Sequence, residues 1–505
     1  MQKFFRVYLL VSLLALPLAL LAPVLHAQGR QPDLFTIGDP SPDIHFGTSA
    51  TGQIGSAGRI LSLAMAPDGQ TMYAAAQISG VWKSTDSAKR WTHSSNGLRS
   101  GLTEGHSSLA LDGKNPTRLL YATGDDDGRG QPGGLGPYGG LWVSDDSAAT
   151  WSHVALCTGA TNIQSVIFAS GQPYVATDCG LFTTADAALA TAQWTELSTW
   201  PNHTRIHEMA DGGNQTLFTC SGKTVNRTAN IASASPTQQL PITLSGDCLA
   251  LAPAPVSGSG SSQSVVTSYQ NGANQQVAVL NFQTNQPQPL ALGSELPYRC
   301  CGAPQVRTHH ILSAPTTATD AGLAYDVYAA DGCLWWLYQP SPAGGSWQEI
   351  AAPESSGLDP LESKCSSPIH TDTWDMAFAP AYNPPSGLCL AFASTDGGVY
   401  ANTGTESAVS GNCVSGWVLA QSGLHALNSM AMAGLTAGRG APANLFLPSG
   451  DNSVWFRWAE GGAWASAGYL GDGGQVLIDP AFPMSVERRP SSTNSIPRGL
   501  KTRRL

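Results

Sequence analysis

The chain of 505 residues carries 25 Lys and Arg against 35 Asp and Glu, a formal net charge of −10, and that balance argues against nucleic acid as a partner, since phosphate binding needs a basic stripe. Only 12% of the residues are charged, about half the usual share, while 55 Gly and 34 Pro favour many short strands joined by tight turns. The length exceeds one ordinary core, so the chain is either several domains or one repetitive domain.

The first element is "MQKFFRVYLLVSLLALPLALLAPVLHAQ": Lys3 and Arg6, a leucine-rich apolar run, then small residues ending at Ala27. It reads as a secretory signal over residues 1–27, cleaved near Ala27, which puts the mature protein in the periplasm or outside the cell. Pro17 and Pro23 interrupt the run and no cysteine there offers a lipid attachment point. No later segment is apolar for long enough to span a bilayer, so no membrane span is expected once the signal is removed. Residues 28–56 form an N-terminal extension.

From Arg59 a repeat begins. "RILSLAMAPDGQTMYAAAQISGVWKSTDSAKRWTHSS" holds an alternating apolar run, a turn at Asp68-Gly69, a second run, a Gly-aromatic strand, a polar box and a last short strand. It recurs as "HSSLALDGKNPTRLLYATG" and, after an inserted loop, "GGLWVSDDSAATWSHV". Four short strands per unit at this spacing are the signature of a propeller blade. Eroded copies follow: one with Asp186 and Trp194, one with Gly332, Trp335 and Trp347, one running from Asp375 to a long loop before Trp417, and one that spaces Trp455 and Trp464 as Trp82 and Trp91 are spaced. Between Arg205 and Leu292 the pattern is faint, and two blades are inferred there from length alone. The expected fold is all-β, a single β-propeller of seven or eight four-stranded blades over residues 57–483, with its last strands placed to close the ring against the first. A basic tail at 484–505, with Arg488, Arg489, Arg498, Lys501, Arg503 and Arg504, has no apolar period and reads as disordered.

The box itself is "KSTDSAKRW" in the first unit and "VSDDSAATW" in the second, with Ser84, Asp86 and Trp91 answering Ser144, Asp146 and Trp151. Asp can accept hydrogen bonds from backbone N–H groups a few residues on, Ser adds a second polar tie, and Trp buries a large face against a neighbouring blade. These six residues therefore read as structural. Ala88 and Ala148 stand where such a turn normally carries glycine, which implies either a left-handed residue at a cost of about 1 kcal/mol or an altered turn. In these features the chain resembles the bacterial BNR or Asp-box repeat propellers of sortilin type, over about Gly58 to Val154 and again from His370 to Pro480. Families with that pattern include sialidases, xyloglucan-active glycoside hydrolases, assembly factors and receptors, so the resemblance implies a fold and leaves the activity open.

The enzyme motifs of those families are incomplete. A sialidase-like site would need an arginine cluster and its "RIP" motif, of which "GRILS" at Arg59 is a partial echo. A xyloglucanase-like site would need an acid in the first blade, near the place where this chain has Gln77, and two carboxylates facing across a cleft. The richest polar stretch is "PIHTDTWDMAF", in which His370, Asp372 and Trp374 alternate along one strand face and Asp375 begins the apolar run. With Asp396 in "TDGG" and Asp472 in "GDGG", these supply a candidate ligand set of His370, Asp372, Trp374, Asp396 and Asp472. If the chain is an enzyme, the catalytic candidates are His370, Asp372, Asp375 and Asp472. Asp125, Asp126 and Asp127 offer hard oxygen donors to calcium but lack the spacing of a dedicated loop, and no other cofactor is expected.

All ten cysteines follow the signal, as disulfides in an oxidising compartment require. Cys157 with Cys179 and Cys389 with Cys413 each bracket one or two strands and read as local pairs, while adjacent Cys300 and Cys301 are expected to reach different partners. No CxxC pair with histidine support points to zinc. The function these observations favour is a binding module for a glycan or protein partner. A glycoside hydrolase using carboxylates near the pore, and an assembly factor for an envelope complex, are the alternatives.

Overall fold

The computed structural model describes residues 57–99, 103, 105, 107–124, 139–157, 162–233, 236–253, 262–283, 289–297, 305–310, 325–330, 335–339, 345–350, 372–380, 390–402, 417–420, 422–424, 426, 433–436, 443–449, 454–457, 464–466, 475–478 and 486–489; of several strands beyond 305 only the backbone is described. His370, Asp472, Asp125–Asp127 and the Cys389–Cys413 pair lie outside these residues. The described residues belong to the compact unit Ser41–Leu505. Among them no helix is long and apolar enough to cross a membrane.

The architecture is a seven-bladed β-propeller of antiparallel meanders. Each blade takes its strands from one continuous stretch of chain: 60–93, 109–154, 163–196, 208–243, 248–297, 305–349 and 373–419. The first strands of the blades are Ile60–Met65, Leu109–Leu111, Ile163–Ala169, Glu208–Asp211, Cys248–Pro253, Gln305–His310 and Thr373–Phe378. Each packs beside the next, and the last packs beside the first. The strands are short and doubly buried because each blade has a neighbour on both faces. Met72–Ala76 and Leu119–Thr123 are buried at every position, which explains their near-continuous apolar sequence.

Seven core clusters lie among the described residues, one per junction. The cluster between blades 7 and 1, for example, joins Ile60, Met72 and Trp82 to Phe392, Val399 and Ala401. Between blades 4 and 5, Phe218 and Val225 meet Leu251 and Val265. Blades 4 and 5, the faint stretch of the sequence, are real four-position meanders whose outer strand is split. Thr237–Gln238 and Ile242–Thr243 both pair with Thr224–Ala229, and Leu290–Ala291 and Leu296–Pro297 both pair with Asn274–Asn281. The split outer strands carry no box, so the repeat signal vanishes although the blades persist.

Two expectations need correction. Blade 1 takes all four strands from residues 60–93, so the ring closes without lending it a late strand. Closure is made by backbone ties instead: Ala57 N–H donates to Gly397 O, Ala426 N–H to Ala57 O, and Trp91 N–H to Ser422 O. The Trp455–Trp464 unit forms an eighth four-stranded sheet, Ala433–Thr436, Ala443–Pro448, Val454–Arg457 and Trp464–Ser466, which follows that closure and is not a blade of the ring. A further strand, Gln475–Ile478, packs on its first two strands, as Cys248–Pro253 packs on the first two strands of blade 4.

Among the described residues two disulfides are present, Cys157–Cys179 and Cys220–Cys248. The first is the local pair expected from the sequence. The second is new, and both suit an oxidising environment.

Candidate functional site

An antiparallel meander puts the start of its first strand and the turn between its second and third strands at one end, and its other two turns at the opposite end. The propeller therefore has two chemically distinct faces. On the box face lie Ser84–Trp91 and Ser144–Trp151. Asp86 Oδ1 accepts from Arg90 N–H at 2.9 Å and from the Ser84 hydroxyl at 2.9 Å, while Ser84 Oγ accepts from Ala88 N–H at 3.0 Å. Asp146 repeats the arrangement with Thr150 N–H at 2.8 Å and the Ser144 hydroxyl at 2.8 Å, and Ala148 N–H donates to Ser144 Oγ at 3.0 Å. Partial burial pushes both carboxyls up, but the hydrogen bonds outweigh it and hold both below the ordinary carboxylate value. Ala88 and Ala148 are left-handed, each at φ 64°, and each follows a left-handed serine. Of the two conformations open to the turn, the strained one is adopted.

The opposite, loop face carries Arg59, Asp372, Trp374 and Asp396. Arg59, just before the first strand of blade 1, meets Asp396, in the turn of blade 7, across 337 positions of chain: Nη2 donates to Oδ2 at 2.8 Å and Nε lies 2.7 Å from Oδ1. The Trp374 indole N–H donates to the same carboxylate at 2.5 Å, and the guanidinium sits 5.5 Å from the Trp374 ring centroid. Asp396 is 1% exposed and the Arg59 side chain 20%. Asp396 N–H in turn donates to Asp372 O at 3.1 Å, and Asp372 is half-buried in a left-handed conformation at φ 63°. Asp372, Trp374 and Asp396 thus come together at the blade 7–blade 1 junction. Asp375 does not join them: its carboxylate turns inward between blades 7 and 1, where it accepts from Leu63 N–H at 2.9 Å, from the Ser62 hydroxyl at 3.3 Å and from Met376 N–H at 2.7 Å.

Around the same face, Gln77 is buried, donates its N–H to Arg59 O and accepts from Thr103 N–H at 2.9 Å. Glu208, at the start of blade 4, is 3% exposed and both its oxygens accept from the Ser107 hydroxyl of blade 2, at 3.0 and 2.8 Å. Sequence reading missed Glu208 because "RIHEMAD" sits in the faint stretch. It also missed the Arg59–Asp396 pairing, which only ring closure brings about.

No protein-family model and no curated protein matches the chain. Solved structures do match its fold. An ancestral GH74 enzyme aligns with a TM-score of 0.53 at 14% identity, over 81% of this chain and 54% of its own. The GH74 xyloglucanase from Xanthomonas campestris aligns with a TM-score of 0.58 at 14% identity, over 89% and 66%. The GH74 enzyme of Niastella koreensis aligns with a TM-score of 0.53 at 12% identity, over 89% and 71%. The chain therefore spans about half to two thirds of the length of the first two, and at these identities the likeness is one of fold.

Proposed function

We propose that this chain is an exported β-propeller that binds an extended glycan on its loop face, beside the junction of blades 7 and 1, with Asp372 and Trp374 as contact groups. The observation that carries the reading is the state of Asp396. Both of its oxygens already accept bonds from Arg59 and Trp374, so it orients the indole and neutralises the arginine. A general acid for glycoside cleavage needs a proton aimed at the leaving oxygen, which a carboxylate engaged in this way does not offer. What the arrangement supports is a fixed, half-buried aromatic beside a polar loop, a surface that suits sugar C–H faces and hydroxyls. The glycan class is suggested by the GH74 neighbours, one of them named a xyloglucanase.

The alternative reading, a glycoside hydrolase, draws on those same neighbours and on His370, Asp372 and Asp472 as its acids and proton carrier. Affinity electrophoresis against a polysaccharide panel, run alongside a reducing-sugar assay, separates the two. Retardation by one polysaccharide without sugar release, lost in Trp374→Ala and weakened in Asp372→Asn, is the expected outcome. Sugar release abolished by Asp472→Asn would replace the binding reading with the hydrolase. Neither retardation nor release, with a stable protein partner recovered instead, would favour the assembly role.

A further inference from the structure

Three side chains, two cysteines and a histidine, meet at the junction of blades 4 and 5. Cys220 lies in the second strand of blade 4, Thr216–Ser221, Cys248 opens the first strand of blade 5, and His207 directly precedes the first strand of blade 4. The two sulfurs and a ring nitrogen of His207 all lie within 4.8 Å of one another, the one such trio among the described residues. Cys220 is 0% and Cys248 2% exposed, while His207 is half-buried.

The imidazole is held in place. Its backbone N–H donates to Cys220 O at 3.1 Å, and its Nε2 bonds to Cys248 O at 2.8 Å. A carbonyl partner requires the proton on Nε2, which leaves the lone pair on Nδ1. Metal-ligating histidines use this arrangement, one nitrogen anchored to a carbonyl and the other carrying the lone pair. A neutral imidazole and two thiolates form a soft set suited to Zn²⁺ or Cu⁺.

We infer that His207, Cys220 and Cys248 form a soft-metal site that the disulfide masks and reduction opens. In the oxidised chain each sulfur is bound to the other. Reduction breaks that S–S bond with two electrons and two protons and yields two thiols. A phosphine can supply the electrons, becoming its oxide with oxygen taken from water. Metal binding then releases the two thiol protons to solvent. The Cys157–Cys179 disulfide belongs to no such trio among the described residues and serves as an internal control.

The test uses the full chain reduced with tris(2-carboxyethyl)phosphine, freed of reductant without air, and titrated with Co²⁺ followed by Zn²⁺. Reduced wild type should bind one ion more than reduced Cys220→Ser, with a thiolate-to-cobalt charge-transfer band that Zn²⁺ removes. His207→Ala should weaken that binding by at least about tenfold, the scale seen when a metal site loses a supporting group. Oxidised wild type should show no band, and Cys157→Ser should keep it after reduction. Equal uptake by reduced wild type and Cys220→Ser, or unchanged affinity in His207→Ala, overturns the assignment. Should Cys220→Ser fail to fold, His207→Gln carries the test, because it leaves both cysteines in place.

Discussion

Blades 1 and 2 and blades 3 to 5 solve one problem, fastening a blade to its neighbour, by different chemistry. At the first two junctions the box tryptophan reaches back across the boundary: Trp91 Nε1–H donates to Ala420 O of the segment after blade 7, and Trp151 Nε1–H to Ser94 O after blade 1, each at 2.8 Å. Their backbone N–H groups bond to Ser422 O and Asn96 O, beside Gly423 and Gly97, where an added Cβ would come within 2.5 Å of the tryptophan carbonyls. Trp347 keeps the indole bond at the junction of blades 5 and 6, to Leu292 O at 3.0 Å. At two junctions where the box decays, a disulfide stands instead. Cys157, after blade 2, joins Cys179 of blade 3, where the Trp194 indole nitrogen is buried without a hydrogen-bond partner, and Cys220 joins blade 4 to blade 5. Box tryptophan and disulfide thus serve different junctions, and the junction of blades 3 and 4, with neither among the described residues, rests on the core of Tyr174, Trp200, Met209 and Leu217.

That comparison makes graded predictions. The largest effect should come from Cys220→Ser, which opens a loop whose ends are 28 positions apart. The chain-entropy argument gives a loss of about 3–4 kcal/mol, read as a lowered denaturant midpoint at unchanged slope. A loss under about 1 kcal/mol would mean that the core of Phe218, Leu251 and Val265 holds this junction unaided. Next in size is Asp396→Ala, which removes the carboxylate that pairs with the Arg59 guanidinium and accepts from the Trp374 indole N–H at the ring closure. A buried pair broken on one side costs about 3–5 kcal/mol, and the partial exposure of Arg59 brings the expected loss to about 2–3 kcal/mol. Pairing it with Arg59→Met in a double-mutant cycle isolates the coupling, and a loss for Asp396→Ala no larger than for a surface aspartate would sink the closing role.

Much of the fold is legible in the sequence. The Ser-x-Asp spacing and closing Trp repeat within a single blade, so local hydrogen bonding writes itself into local sequence. Cys157 and Cys179 were legible because they bracket adjacent strands. Cys220 and Cys248 were not, because no repeat marks the strands that bring them together. Arg59 and Asp396 meet only because seven blades close a circle, and no spacing rule encodes a contact across 337 positions. In the sequence Asp375 is an acid at a strand start, yet its place is fixed by Leu63 N–H and Ser62 of another blade. The eighth sheet repeats the tryptophan spacing faithfully, which shows that a blade signature identifies a blade-like sheet without saying which ring owns it.

Smaller again is the cost expected for Trp151→Phe. The ring stays apolar and close to its edge contact with Tyr121, centroids 5.7 Å apart, but the N–H bond to Ser94 O is lost. About 1–2 kcal/mol should go, most of it from the unpaired carbonyl and the smaller ring. Equal losses in Trp151→Phe and Trp151→Ala would show that the indole N–H, not the packing, holds the junction.

The smallest effect concerns the alanine that replaces glycine in the box. At φ 64°, Ala88 bears a left-handed cost of about 1–2 kcal/mol, which Ala88→Gly removes. Against that gain, glycine adds unfolded-state freedom worth about 0.4–1 kcal/mol. It also gives up the buried methyl, which is 0% exposed in the cluster with Trp91 and Leu424, at about 0.8 kcal/mol. The terms nearly cancel, so Ala88→Gly should shift stability by no more than about 0.5 kcal/mol in either direction, and Ala148→Gly likewise. A gain above about 1 kcal/mol would show that the methyl packs to little purpose and that the strain is uncompensated. A near-zero shift explains why both well-preserved boxes keep alanine: the residue fills the junction core that the same turn exists to close.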